Sequence, residues 1–304
     1  MSEAAAVFEI PRHDVPRGGR SGFAVVAGNQ AHYLEWGPSR AAPVVCLHGG
    51  AQTAYMWEEL GAALADRYHV LAPDLPGHGD SDPGPLIDRK DLAGAIAPFA
   101  ASFGVERAVF VGASLGGIVS LTLAAEHPEL VAGIVLIDIG HRLEDEGVRR
   151  IVEFMTAHES FASLDEAAVA VGEYLPQRRK LRPENLQRNL RQRPDGRWEW
   201  KHQLGRQLRE RMDVTDFQPG DWRALMGNLE DDLGGLRCPV LVLRGRQSDV
   251  LSNEGAEAVA ALIPDARLKT IGAAGHHAAG DNPQSTVDLV SEFLAEIGWE
   301  TPAR

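Results

Sequence analysis

A chain of 304 residues, 44% hydrophobic and 24% charged, has room for one large α/β domain with an insertion, or for two small domains. Its formal net charge of −13 argues against nucleic acid or an anionic membrane as the main partner. With only two cysteines, Cys46 and Cys238, it implies no disulfide framework and suits a reducing, cytoplasmic location.

Residues 1–10 lack a basic region and an apolar stretch of signal-peptide type. No run reaches the ~18–20 apolar residues of a membrane span. Pro11, Pro16 and Gly18-Gly19 mark residues 1–21 as a loose arm. Either side of Gly28-Asn29, Phe23–Ala27 and Gln30–Trp36 read as an opening hairpin. Pro43–Leu47 suits an inner parallel strand and runs into His48-Gly49-Gly50-Ala51. A helix bearing Met56, Trp57, Leu60 and Leu64 follows, then a strand at Tyr68–Ala72. Asp74-Leu75-Pro76-Gly77-His78-Gly79-Asp80-Ser81-Asp82 is a tight loop rich in turn residues. A helix over about Arg89–Phe103 leads to the strand Ala108–Val111.

That strand ends in Gly112-Ala113-Ser114-Leu115-Gly116-Gly117 and opens into an apolar helix, so G-x-S-x-G lies at a strand-to-helix turn. Such a turn forces the serine into a strained conformation and needs small neighbours at Gly112 and Gly116. It lifts the Ser114 hydroxyl to the carboxyl edge of the sheet and aims the Leu115 N–H, at the positive helix end, where an oxyanion would form. Another buried strand, Val131–Ile137, ends at Asp138.

Alternation then stops. Residues 141–236 read as helical, and between Arg178 and Arg211 twelve Lys/Arg stand against four Asp/Glu. Strand and helix resume with Pro239–Leu243, a helix over about Glu254–Leu262 and a strand at Ala266–Ile271 leading to Gly275-His276-His277. The closing helix starts at Asn282-Pro283 and carries an apolar stripe at Val290, Phe293, Leu294 and Ile297. The expectation is an α/β fold: a doubly wound, mostly parallel sheet over 22–140 and 237–304, with 141–236 a helical cap above the carboxyl ends of the strands.

Serine needs a base, and the base an orienting acid. Asp249 and His276 follow successive late strands, giving the order Ser114, Asp249, His276 that accompanies a nucleophile elbow. His277 competes with His276 as base, and Asp138 with Asp249 as acid. In the loop after the third strand, Gly50 offers a second oxyanion donor beside Leu115. With these motifs the chain resembles the capped branch of the α/β-hydrolase fold, which holds short esterases and C–C bond hydrolases. The resemblance covers about residues 22–140 and 237–298. It implies a cofactor-free serine hydrolase with a Ser-His-Asp triad acting on a small ester or lactone. The alternatives are a C–C hydrolase of vinylogous diketones and a non-enzymatic ligand receptor of the same fold.

Ala51, Trp57, Tyr174, Trp198, Trp200, Val250 and His277 are the expected pocket residues, and His48 and His78 the expected loop braces. No metal is expected, since neither an H-E-x-x-H nor an EF-hand pattern occurs and Asp74 to Asp82 has turn spacing. The Arg-rich stretch of the cap is either a solvated face or an attractor for an anionic substrate.

Overall fold

The computed structural model describes residues 15–84, 88–175, 182–211 and 227–300. In chain order the strands are β1 (Arg20–Val26), β2 (Asn29–Trp36), β3 (Ala42–Leu47), β4 (Tyr68–Pro73), β5 (Ala108–Ala113), β6 (Val131–Ile137), β7 (Leu190–Gln192), β8 (Trp198–Trp200), β9 (Val240–Gly245) and β10 (Ala266–Ile271). All but β7 and β8 form one eight-stranded sheet of order β1-β2-β4-β3-β5-β6-β9-β10. β2 runs antiparallel to β1 and β4, and every other pairing is parallel.

The helices are α1 (Glu58–Leu64), α2 (Arg89–Ser102), α3 (Leu115–Glu126), α4 (Asp145–Ala157), α5 (Leu164–Tyr174), α6 (Leu204–Arg211), α7 (Leu229–Gly234), α8 (Asn253–Leu262), α9 (Ala278–Asp281) and α10 (Pro283–Glu296). Neighbouring residues of a strand point to opposite faces, so the continuous apolar runs feed two cores. Val45, Leu47, Phe110 and Leu136 join Ile96 of α2 and Ile118 of α3 on one face. Val44, Cys46, Val111 and Ile137 join Leu60 of α1 and Phe293 of α10 on the other. Asn282 caps α10 by accepting from Ser285 N, with Pro283 in its first turn.

The expected limits shift in two places. Arg20 and Ser21 already pair with Glu35 and Leu34, so the sheet begins inside the expected arm; residues 1–14 of that arm lie outside the described residues. The hairpin turns on Ala27 and Gly28, at φ 49° and 85°, with Val26 paired to Asn29. Positive φ at both central residues matches the right-handed twist of the strands.

Between β6 and β9 none of the described residues joins the eight-stranded sheet, and they are not helices alone. β7 and β8 form an antiparallel hairpin, with Leu190 opposite Trp200. Three-residue strands in a charged stretch give no run of apolar residues to read. This segment has its own small core of Phe161, Ala167, Val171, Leu186 and Leu190. Among the described residues, no helix is long and apolar enough to cross a membrane.

Candidate active site

Ser114 stands between β5 and α3 with φ 47° and ψ −113°, a backbone conformation that side chains rarely adopt. Its N–H donates to Ile137 O, and its carbonyl accepts from Gly117 and Ile118, which ties the turn to β6 and to the first turn of α3. Close packing holds it there. A Cβ on Gly112 would lie 2.4 Å from Gly116 O, and one on Gly116 would lie 2.1 Å from Leu47 O. Leu115 is the first helical residue, so its N–H has no acceptor within α3.

Beyond β10, the His276 ring meets a carboxylate, and it is that of Asp138. His276 Nδ1 lies 2.9 Å from Asp138 Oδ2, with the histidine side chain 9% and the aspartate 0% exposed. Asp138 follows β6 at φ 54°, a left-handed position that aspartate tolerates better than most residues. Its other oxygen accepts from Gly245 N at 2.9 Å, and Oδ2 also accepts from the Ser248 hydroxyl. The lone pairs of Ser248 Oγ in turn accept Val250 N and Leu251 N, each at 3.1 Å. That leaves the Ser248 proton only the carboxylate.

Asp249, expected as the acid, is turned away. Its side chain is 47% exposed and pairs with Arg150 of α4. The reason lies one residue earlier, where Ser248 takes the inward position of the β9 loop and sends its neighbour outward.

The loop after β3 is braced from behind. His48 is fully buried, donates from Nδ1 to Gly49 O and accepts Leu75 N at Nε2, which fixes a neutral ring; burial holds its pKa below the usual range. Gln52 accepts Gly49 N at 3.1 Å and reaches His277 Nδ1 at 3.0 Å, linking the loop to the residue beside His276. Gly50, Ala51, Gln52, Ser114, Leu115, His276 and His277 all line one cavity of about 1220 Å³, open between the sheet edge and the segment inserted after β6.

A family model described as the alpha/beta hydrolase fold matches residues 42–283. The chain belongs to the α/β hydrolase fold family. A Mycobacterium tuberculosis esterase is 26% identical over 277 residues, covering 86% of this chain and 85% of its own. A 3-hydroxybutyrate-oligomer hydrolase of Cupriavidus necator is 31% identical, covering 73% and 78%. In structure, the chain is similar to an E-2-(acetamidomethylene)succinate hydrolase, with TM-score 0.77, 22% identity and coverage of 91% and 99%.

Within this hydrolase fold, the cavity separates the expected pocket residues. Ala51, Tyr174, Trp200, Val250 and His277 line it; Trp57 and Trp198 do not. Trp57 is fully buried in the core beneath α1, and Trp198 packs into the small core of the inserted segment. On β8, Trp198 and Trp200 stand two residues apart and so share a face of the hairpin, yet Trp200 alone of the two lines the cavity. Missed by the sequence reading were Gln52, Phe154, Met155, Leu204 and Leu208, together with the polar stretch Arg182–Asn189. The apolar members sit at helical spacing on α4 and α6, a signal that reads equally well as ordinary core.

Six of the nine described basic residues of this stretch are ion-paired. Arg188 pairs with Glu58, Arg191 with Glu199, Arg193 with Asp195, Lys201 with Asp80, Arg206 with Glu210 and Arg209 with Glu159. Arg178, Arg179 and Lys180 lie outside the described residues.

His32, Asp74 and Asp80 have potential ligand atoms within 4.8 Å of one another. Protein groups occupy these atoms: Asp74 accepts His32 Nδ1 at 2.7 Å, Ala54 N at 2.7 Å and Asp80 N at 3.0 Å, and Asp80 accepts Lys201 Nζ at 2.8 Å. Burial alone would raise the Asp74 pKa, but His32, His48 and these hydrogen bonds hold it below the usual carboxylate value. A Cβ on Gly79 would lie 1.9 Å from the Asp74 carboxylate, so this motif is a loop folded around a buried anion.

Proposed function

We propose that the protein is a serine hydrolase of small carboxylic esters or lactones, working through an acyl-enzyme. One observation carries the reading: a serine strained at a strand-to-helix turn shares a cavity with a histidine whose far nitrogen is held by a buried carboxylate. Ser114 attacks the acyl carbonyl. His276 takes the serine proton at Nε2, passes it to the leaving alcohol, and then takes a proton from the water that cleaves the acyl-enzyme. Asp138, in place of Asp249, fixes the tautomer with the proton on Nδ1 and stabilises the imidazolium formed during attack. The N–H groups of Leu115 and Gly50 receive the developing oxyanion. The residues 141–236 act as a cap that closes the cavity over the substrate.

The relatives named as an esterase and as a 3-hydroxybutyrate-oligomer hydrolase support ester chemistry. The test is turnover of a panel of esters, lactones and vinylogous diketones of graded size, with covalent labelling by a fluorophosphonate. Ester or lactone hydrolysis with labelling at Ser114 is the expected result. Diketone cleavage alone would transfer the same residues to C–C bond hydrolysis, and no turnover of any class would refute the hydrolase reading.

A further inference from the structure

A continuous series of ring contacts starts beside one catalytic loop, runs along the cavity wall, and ends in the buried histidines behind the other. From His276 the ring centres step 5.5 Å to His277, 6.0 Å to Tyr174 and 4.2 Å to Phe154. They continue 5.9 Å to Trp200, 5.8 Å to His202, 6.2 Å to His78 and 5.0 Å to His48, which precedes Gly49 and Gly50. Tyr174 comes from α5, Phe154 from α4 and Trp200 from β8, so three elements of the inserted segment meet here. All three line the cavity and are partly exposed, as are His202 and His277.

The arch has two chemical properties. First, the part of the arch that runs from the inserted segment to the loop after β3 is uncharged: burial pushes His202 down to about 4 and holds His78 well below its usual value, so both rings are neutral at pH 7. Charged side chains border the cavity elsewhere, at Glu58, Glu59, the 182–188 stretch and Asp281, where Glu58 is paired with Arg188, Glu59 with Arg17, and Asp281 accepts Gly275 N. Second, it offers both faces and edges. Phe154 and Tyr174 lie nearly parallel, 9° apart, while Trp200 meets Phe154 at 63°. Aromatic pairs in offset or edge-to-face arrangements gain attraction beyond their buried area. The aliphatic neighbours Val148, Ile151 and Met155 reward apolar area of any shape.

We propose that this arch is an aryl-recognition wall, so that the substrate carries an uncharged aromatic ring lying against Phe154, Tyr174 and Trp200. The proposal rests on the hydrolase reading only for the bond that is broken. Two esters isolate the effect, methyl phenylacetate and methyl cyclohexylacetate, which share a carbon skeleton and differ in ring flatness and π-character. With each kcat/KM divided by the ester's rate with hydroxide, the phenyl ester is expected to be favoured about three- to tenfold. Phe154→Leu and Trp200→Leu should each move that ratio towards one, whatever they do to absolute rates. The same two esters titrated calorimetrically into Ser114→Ala give the ratio of Kd values with no turnover needed. Failure of both esters to turn over would count against the hydrolase reading, while the binding ratio would still decide the wall. A binding ratio at or below one in Ser114→Ala overturns the proposal, and so does a phenyl preference that survives both leucine substitutions.

Discussion

Replacing Asp138 with Asn separates the two candidate acids, and the hydrogen bonds around it say what should happen. The carboxylate accepts from Gly245 N, Ser248 Oγ and His276 Nδ1. An amide oxygen can keep the Gly245 N–H, which then turns the NH2 group towards Ser248 and His276. Ser248 Oγ already accepts Val250 N and Leu251 N, so it has no lone pair to offer. The NH2 must therefore donate to His276 Nδ1, which drives the ring proton to Nε2. In that tautomer His276 cannot take a proton from Ser114, and kcat should fall by about four orders of magnitude, roughly 5.5 kcal/mol of barrier. The Ser248 hydroxyl also loses its charged acceptor in a buried site, a stability cost of about 1–3 kcal/mol. Asp249→Asn, by contrast, weakens an exposed ion pair worth about 0–1 kcal/mol and should leave kcat within about threefold. The assay is steady-state hydrolysis of the best ester from the panel, with active sites counted by fluorophosphonate titration and melting followed by calorimetry. Severe loss in Asp249→Asn with a tenth or more of kcat kept in Asp138→Asn would refute this assignment.

Ser114→Ala should lower kcat by about five to six orders of magnitude and abolish fluorophosphonate labelling; labelling that persists would remove Ser114 from the mechanism. Ser248→Ala should cost about tenfold in kcat by loosening Asp138, with the acid limb of the kcat/KM–pH profile displaced and both effects restored in Ser248→Thr; a fall in melting temperature alone would make Ser248 merely structural. His48, His78 and His202 all titrate below their unfolded value in the folded protein, so the unfolded chain binds more protons below about pH 6.5. Their contribution to stability is full above that pH and declines as pH falls from about 6.5 towards 4. Calorimetric melts across that window should show His202→Phe losing less stability than the parent; parallel curves would refute the assignment.

The inner strands were legible because burial on both faces demands continuous apolar runs. Seven of the eight sheet strands lie within a residue or two of their expected bounds, and β1 starts three residues earlier. Ser114 was legible for the same kind of reason, since Gly112 and Gly116 have no substitute where β5, β3 and α3 pass so closely. What could not be read was direction. Ser248 and Asp249 are neighbours on one loop, and nothing in their order says which faces the histidine. Asp138 was visible as a strand-end carboxylate, yet its reach to His276 depends on a positive φ and on the amide of Gly245, neither of which leaves a pattern in the chain. The pocket wall was illegible for a different reason. Phe154 and Met155 occupy helix positions that a core would use equally well, and only the placement of the inserted segment decides between the two.

That placement gives Asp249 its own part. The inserted segment is joined to the sheet edge along two seams. On one, Gly79 N donates to Lys201 O and Gln203 N to Gly77 O, while the nearly buried Lys201 amine pairs with Asp80. On the other, Glu144 N donates to Val250 O, Arg150 pairs with Asp249, and Gly147 packs so tightly that a Cβ would lie 2.0 Å from Asp249 O. The β9 loop thus works on both its faces: Ser248 inward, on the carboxylate that holds His276, and Asp249 outward, on α4, which carries Phe154. A change at Asp249 would be felt through the position of α4 and hence in KM for bulky esters, whereas a change at Ser248 would be felt through the tautomer of His276 and hence in kcat.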